Sequence, residues 1–390
     1  MLRMQQRSGR HFLQIPGPTN VPDRVLNAIQ QPTIDHRGPG FRDLTADVLN
    51  GLGQVFQTRS KVVVFPSSGT GAWEAALVNT LSAGDRVLMY ETGHFAQLWY
   101  GIAKRLGLDA QLLPSDWRHP VDPVAIGEAL AKDVDHRIKA VCVVHNETST
   151  GAMSDVAAVR AVIDETRHPA LFMVDTISSL ASIDFRHDEW GVDVTVGGSQ
   201  KGLMLPPGLG FNAVSDKALA ASLAANLPRA YWNWQDMLDA NNNGFFPYTP
   251  ATNLLYGLRE ALSMLLDEGL ENVFERHRRL AEATRRAVAA WQLELLCLDS
   301  AARSHSLTAV QLPEGVDADA FRATVLERFN MSLGNGLGRL SGRVFRIGHL
   351  GDFNDLMLIG TLGGVEMGLA ASGIAHQRGG VTAAMDYLSG

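Results

Sequence analysis

Between residues 61 and 215 the chain repeats one pattern: a short run that is apolar on both faces, then a stretch with helical periodicity. The runs are KVVVFP (61–66), RVLMYE (86–91), a segment near 110–114, IKAVCVVH (138–145), ALFMVD (170–175), VDVTVG (192–197) and LGFNAVS (209–215). A strand with one face in water alternates apolar and polar residues, so runs without that alternation are covered on both faces. Such strands, separated by helices, demand a mostly parallel sheet with helices on either side, and the expected fold class is α/β. Helices are expected over 68–81, 95–106, 122–132 and 154–167. Upstream, 22–31 reads as a short helix. A longer one covers 41–57, where Phe41, Leu44, Val48, Leu52 and Val55 recur at three- and four-residue spacing.

The pattern changes after residue 253. A long helical stretch follows with a break at Gly269, then short strands (306–312, 343–348) mixed with helices (317–328, 354–372). The expected organisation is an N-terminal arm over 1–18, a large domain over 19–268 and a smaller C-terminal α+β domain over 269–390. Residues 1–15 are basic and polar without a helical stripe, and read as a disordered arm or one lying over a neighbouring subunit.

A net charge of -7 argues against nucleic acid as the main partner. No apolar run approaches the roughly 20 residues of a membrane span, and no secretory signal is visible. A cytoplasmic protein is expected. Cys142 and Cys297 cannot build a disulfide framework, no CxxC is present, and no metal is expected. Cys142 reads as a buried small hydrophobe, Cys297 as the more exposed of the two.

Chemistry concentrates at the ends of the apolar runs. Lys201, in VTVGGSQKG (194–202), sits where a strand meets glycines and a polar turn. An amine there, against an apolar wall, can lose its proton and attack a carbonyl, the aldehyde of pyridoxal phosphate (PLP) being the obvious one. SSGTGAWEAAL (67–77) puts small residues at a helix N-terminus, where backbone N–H groups hold phosphate; plain N-capping is the alternative. Asp175 ends a strand and would pair with a protonated pyridine nitrogen, or cap a turn. Phe95 would stack on a planar ring, or fill core. HNETSTG (145–151) offers Thr148 to a phenolic oxygen, or is a polar turn. Arg346, in FRIGHLG (345–351), suits a substrate carboxylate, or forms a surface ion pair. GNGLGRLSG (334–342) reads as a mobile loop near Arg346. The aromatic-rich segment 230–246 either roofs the pocket or packs at an interface. His36 and Arg37 either contact substrate or form a turn. A hydrolase is disfavoured, because GGSQK has Lys201 where a nucleophile elbow needs glycine. A desulfurase would need a reactive cysteine on a mobile loop, and the strand-like LELLCLDS around Cys297 does not look like one.

The order phosphate cup, aromatic, hydroxyl, Asp, Lys is specific, and here the chain resembles the class V aminotransferases of PLP fold type I. SSGTGAWEAAL, HNETSTG, MVDTISSL and GGSQKGLMLPPG carry the resemblance. FFPYTPATNLLYGLREAL (245–262) leans towards the branch that acts on serine and glyoxylate. The resemblance implies a seven-stranded, mostly parallel sheet and a homodimer with a shared active site. It implies that Lys201 binds the PLP aldehyde and moves a proton, and that Asp175 holds the ring nitrogen. Phe95 would stack on the ring, with Ile177 also at the cofactor. Ser68, Gly69, Thr70 and Gln200 would hold the phosphate, Thr148 the phenolic oxygen, and Thr249 the phosphate of the neighbouring subunit. Arg346 would clamp the substrate carboxylate, with Gly17–Pro18 closing over it. Phe246 stands where some relatives have a tyrosine, so that hydroxyl contact is lost, although Tyr248 is nearby. The implied reaction moves the amino group of a small L-amino acid, serine foremost, to glyoxylate, giving hydroxypyruvate and glycine. Aspartate and alanine remain open as donors, and a lyase of the same class remains open as a reaction.

Overall fold

Residues 9–390 are described by the computed structural model. In chain order the strands are β1 (Phe12–Gln14), β2 (Lys61–Pro66), β3 (Arg86–Tyr90), β4 (Asp109–Leu113), β5 (Ile138–Val144), β6 (Asn146–Glu147), β7 (Ala152–Met153), β8 (Leu171–Asp175), β9 (Val194–Gly198), β10 (Leu209–Val214), β11 (Glu294–Leu295), β12 (Leu307–Gln311), β13 (Met331–Asn335) and β14 (Val344–Gly348). Seven of them form one sheet in the order β2-β10-β9-β8-β5-β3-β4. Every pairing is parallel except those of β10. That exception has a simple cause. Residues 199–208 between β9 and β10 contain no helix, and a parallel return needs a crossover of a dozen or more residues. Lys201 lies on this short reversal.

Side chains leave a strand on alternate faces, so each apolar run feeds two cores. From β2, Val63 and Phe65 join a layer containing Trp73, Trp99 and Trp234. Val62 and Val64 point the other way, to Phe41, Phe56, Phe211 and Leu262. A third cluster covers the far half of the sheet, where Val141, Val143, Phe172 and Val174 meet Val159 and Ile163 of the helix Val156–Glu165. The central strands β8, β9 and β10 are buried along their whole length.

The small sheet has the order β1-β13-β14-β12-β11 and packs on the helices Leu270–Ala290, Ala318–Phe329, Asp355–Ala371 and Gly380–Ser389. The helical stretch breaks at Gly269, whose φ of +84° suits a residue without a Cβ. Of the expected N-terminal arm, residues 1–8 lie outside the described residues, and Phe12–Gln14 forms the edge strand of the small sheet, pairing with Met331–Leu333. No helix among the described residues is long and apolar enough to cross a membrane.

Two expectations are corrected. Cys297 is buried, with Sγ against the Asp299 and Ala302 carbonyls, and burial pushes its thiol up to about 11. The segment 334–342 is not a free loop: Gly334 and Asn335 pair with β14, and residues 338–340 form a 3-10 turn. Arg339 from that turn crosses to Glu91 and lies over the Trp117 ring. Within the aromatic segment 230–246, Trp234 and Met237 are buried in the cluster that contains Trp73 and Trp99, and the Trp234 indole donates to Asn212.

Candidate active site

The carboxyl ends of the parallel strands converge on a cavity of about 110 Å³. Its walls carry Ser68, Gly69, Thr70 and Trp73 from the helix after β2, Phe95 from the helix after β3, and Thr148 beyond β5. Asp175, Ile177 and Ser178 come from the end of β8, and Gln200 and Lys201 from the turn after β9. Ligands of open α/β sheets bind at this edge.

Lys201 is buried. Loss of water pushes its amine down to about 7, the nearby Arg346 charge adds to that, and Asp175 opposes it. A substantial share of the amine is therefore neutral and nucleophilic near pH 7. Its Nζ donates to the Pro16 carbonyl. The segment that carries Pro16 is fixed to the lysine turn: Thr19 N–H donates to Gln200 O at 3.2 Å, and Thr19 Oγ1 donates to Lys201 O at 3.2 Å. Gly17 has φ +83°, and a Cβ there would fall on the Lys201 side chain. Only glycine suits both demands.

Asp175 faces Lys201 from the end of β8. Its Oδ1 accepts from the Ile177 N–H at 2.7 Å and its Oδ2 from the Trp73 indole at 3.1 Å. Burial pushes its carboxyl up to about 7; the Ile177 N–H opposes this, the Glu147 charge reinforces it, and Trp73 and Lys201 act against it. A carboxylate held so close to neutrality in a dry site would gain most from a fixed cation. Trp73 has no role in the sequence reading, and neither does Ser178. The Thr148 hydroxyl donates to Ser178 Oγ at 2.7 Å, and Ser178 donates on to Asn146 O at 2.8 Å.

The residues present fit PLP on several counts. The helix Gly69–Thr80 begins at Ser68, whose side chain makes no capping hydrogen bond, so plain N-capping by that hydroxyl does not account for the motif. The N-terminal turn is left to face an anion. One end of the Gln200 amide is buried without a partner; since the amide can be turned either way, it can present a donor to a phosphate. Phe95 lies beside Trp73 with ring centroids 6.4 Å apart, and Trp73 stacks on Trp99, so Phe95 is backed by packed aromatic rings. The anion cup and Asp175 both line this cavity, as a ring with phosphate at one edge and a basic nitrogen elsewhere requires.

Arg346 approaches from β14 of the small sheet and is buried. Its Nη1 donates to Thr148 O at 2.8 Å and its Nε to Asn335 O at 2.8 Å. No carboxylate pairs with it among the described residues, so the surface ion-pair alternative fails. Burial lowers its pKa to about 10, with the Glu147 charge opposing, which leaves it cationic at neutral pH. Thr249 is exposed, on the segment leading into the helix Thr252–Glu268, and does not line the cavity. Tyr248 stacks on Tyr231 and its hydroxyl donates to Tyr231 O. His36 and Arg37 lie outside the cavity lining, in a turn where Arg37 N–H donates to the Asp35 carboxylate at 3.0 Å.

The family profile described as Aminotransferase class-V matches residues 11–337. The chain is similar to the serine–glyoxylate aminotransferase of Methylorubrum extorquens, at 49% identity over 98% of this chain and 97% of the relative. It is also similar to the L-aspartate–glyoxylate aminotransferase of Paracoccus denitrificans, at 45% identity over 96% and 95%. Among solved structures, the ureidoglycine–glyoxylate aminotransferase of Bacillus subtilis superposes with a TM-score of 0.90 and 28% identity, covering 99% of this chain and 100% of that one.

Proposed function

Because the chain belongs to the class V aminotransferases, we propose that it transfers the amino group of a small L-amino acid, serine foremost, to glyoxylate. Its cofactor is PLP. When bound, PLP supplies an aldehyde that receives the amino group and a ring that takes up the electron pair left at the donor's Cα. The observation that carries the reading is the placement of the buried Lys201 amine and Asp175 carboxylate in one cavity, each with its pKa drawn to about 7. Lys201 would be the covalent anchor, and its amine would be the base placed to take and return the proton of the donor's Cα. Asp175, held by Ile177 and Trp73, would keep a ring nitrogen positive. The helix that starts at Gly69, with Gln200, would hold the phosphate, and Phe95 would pack against the ring. Arg346 holds the carboxylate of donor and acceptor in turn. Across the full cycle, serine and glyoxylate become hydroxypyruvate and glycine.

Serine is favoured over aspartate because a relative at 49% identity is named for it. Aspartate stands as the second reading, because a relative at 45% identity is named for it. A cytoplasmic homodimer is part of the same proposal, with the exposed Thr249 reaching the partner's phosphate cup. Sedimentation of a monomer at micromolar concentration would remove that part alone.

The test is the rate of glycine formation from glyoxylate by the PLP-loaded protein with L-serine, L-aspartate or L-alanine. Serine should exceed the other two at least tenfold in kcat/KM. A preference for aspartate would replace serine as donor, and no glycine from any of the three would sink the glyoxylate reading.

A further inference from the structure

Glu147, in the middle of HNETSTG, is fully buried and has no part in the chemistry described above. Its carboxylate is saturated with hydrogen bonds. Oε1 accepts from the Ser149 N–H at 3.0 Å, the Ser149 hydroxyl at 2.6 Å and the Phe95 N–H at 3.3 Å. Oε2 accepts from the Ala96 N–H at 3.2 Å. Phe95 and Ala96 open the helix His94–Arg105, and the residue before it, Gly93, has no side chain to cap them. Glu147 therefore does from a distant loop what a capping residue does locally, and its charge complements the positive end of that helix.

Two further observations fix the arrangement. A Cβ on Gly93 would fall on Glu147 Cγ and Ser149 Oγ. The φ of Gly93 is 168°, extended backbone that any residue adopts, so glycine is needed there for space alone. The peptide next to Glu147 carries the Thr148 carbonyl that receives Arg346 Nη1. One buried carboxylate thus fixes the helix start that bears the stacking ring and the loop that seats the substrate clamp.

We infer that Glu147 is a positioning residue of the transamination site, holding the Phe95 ring and the Thr148–Arg346 contact in one geometry. This rests on the reading of the cavity as a PLP site. Burial raises the Glu147 pKa, and the bonds from Ser149, Ala96 and Phe95 oppose the rise.

The test uses Glu147→Gln. A glutamine keeps one acceptor oxygen but turns an amide N–H₂ towards the Ala96 N–H, donor against donor. The variant should bind PLP about tenfold more weakly and show reduced visible circular dichroism of the bound cofactor. Its KM for the donor should rise, and amide exchange across residues 93–99 should speed up in the cofactor-free protein. A purely structural carboxylate would lower the melting temperature and leave PLP affinity and the visible circular dichroism within twofold of wild type; that result would overturn the inference. Gly93→Ala carries the same test if Glu147→Gln does not accumulate. Its backbone is tolerated and its methyl displaces the carboxylate, so wild-type PLP affinity and circular dichroism in that variant would also overturn it. Both readouts need PLP but no substrate, so they stand if the proposed donor or acceptor is wrong.

Discussion

Arg346→Lys separates the clamp from simple charge attraction. Arginine has five N–H donors in a planar fork; Asn335 and Thr148 engage two of them, leaving donors free for a carboxylate. Lysine keeps the positive charge but cannot hold the two backbone carbonyls and grip a carboxylate in two places. The variant loses about one charge-assisted hydrogen bond, worth roughly 1.5–3 kcal/mol, or about 10- to 100-fold in binding. Serine and glyoxylate both carry the carboxylate, so KM for both should rise by that factor. The contact forms in the ground state and persists through the reaction, so kcat should fall much less. Steady-state kinetics with each substrate varied in turn measures this, with the melting temperature as a control for folding. KM values within twofold of wild type for both substrates would show that the carboxylate binds elsewhere and that β14 carries a structural arginine.

Trp73→Phe removes the indole N–H from Asp175 and leaves the ring packed. The carboxyl pKa should climb further above about 7, and PLP should bind about tenfold more weakly. The loss should be larger at pH 6.5 than at pH 8.5, where Asp175 is ionised regardless; equal affinity at both values would show that Trp73 does not tune Asp175. Acid should destabilise the fold through buried histidines. Burial holds His145 and His187 at about 4 and His277 and His349 at about 3, against an ordinary 6.5. Each is neutral in the fold and protonates more readily when unfolded. Its contribution is complete above about pH 6.5 and shrinks by roughly 1.4 kcal/mol per unit as the pH falls towards 4. A drop in melting temperature on the order of 5–10 °C between pH 7.5 and 5.5 is expected; a flat profile would mean that these rings are charged or hydrated in the fold.

The strands were legible because burial on both faces leaves a continuous apolar run, and the site strands because polar residues follow those runs directly. Asp175 ends β8, and Lys201 and Phe95 lie within a few residues of the ends of β9 and β3. Other features depend on contacts that local sequence does not encode. Trp73 reads as another core aromatic until Asp175, 102 residues on, is seen to accept its N–H. Glu147 reads as one polar residue of a turn until the start of the helix at His94 is placed against it. The order of strands and the reversal at β10 are topology, although the short, helix-free link after β9 was a usable clue. Phe12–Gln14 is too short to carry a periodicity and becomes a strand only because β13 offers an edge. The segment 334–342 differs from its reading for a related reason: glycine and short polar residues signal a turn, but not that Gly334 and Asn335 pair with β14 or that Arg339 reaches Glu91.

The central claim is that the Lys201 amine carries the cofactor. Borohydride reduction of the PLP-loaded protein, followed by peptide mapping, tests it most directly. A single pyridoxyl group on the peptide containing Lys201, absent from Lys201→Ala, is the predicted result. A reduced adduct on another lysine, or one that survives in Lys201→Ala, would contradict it.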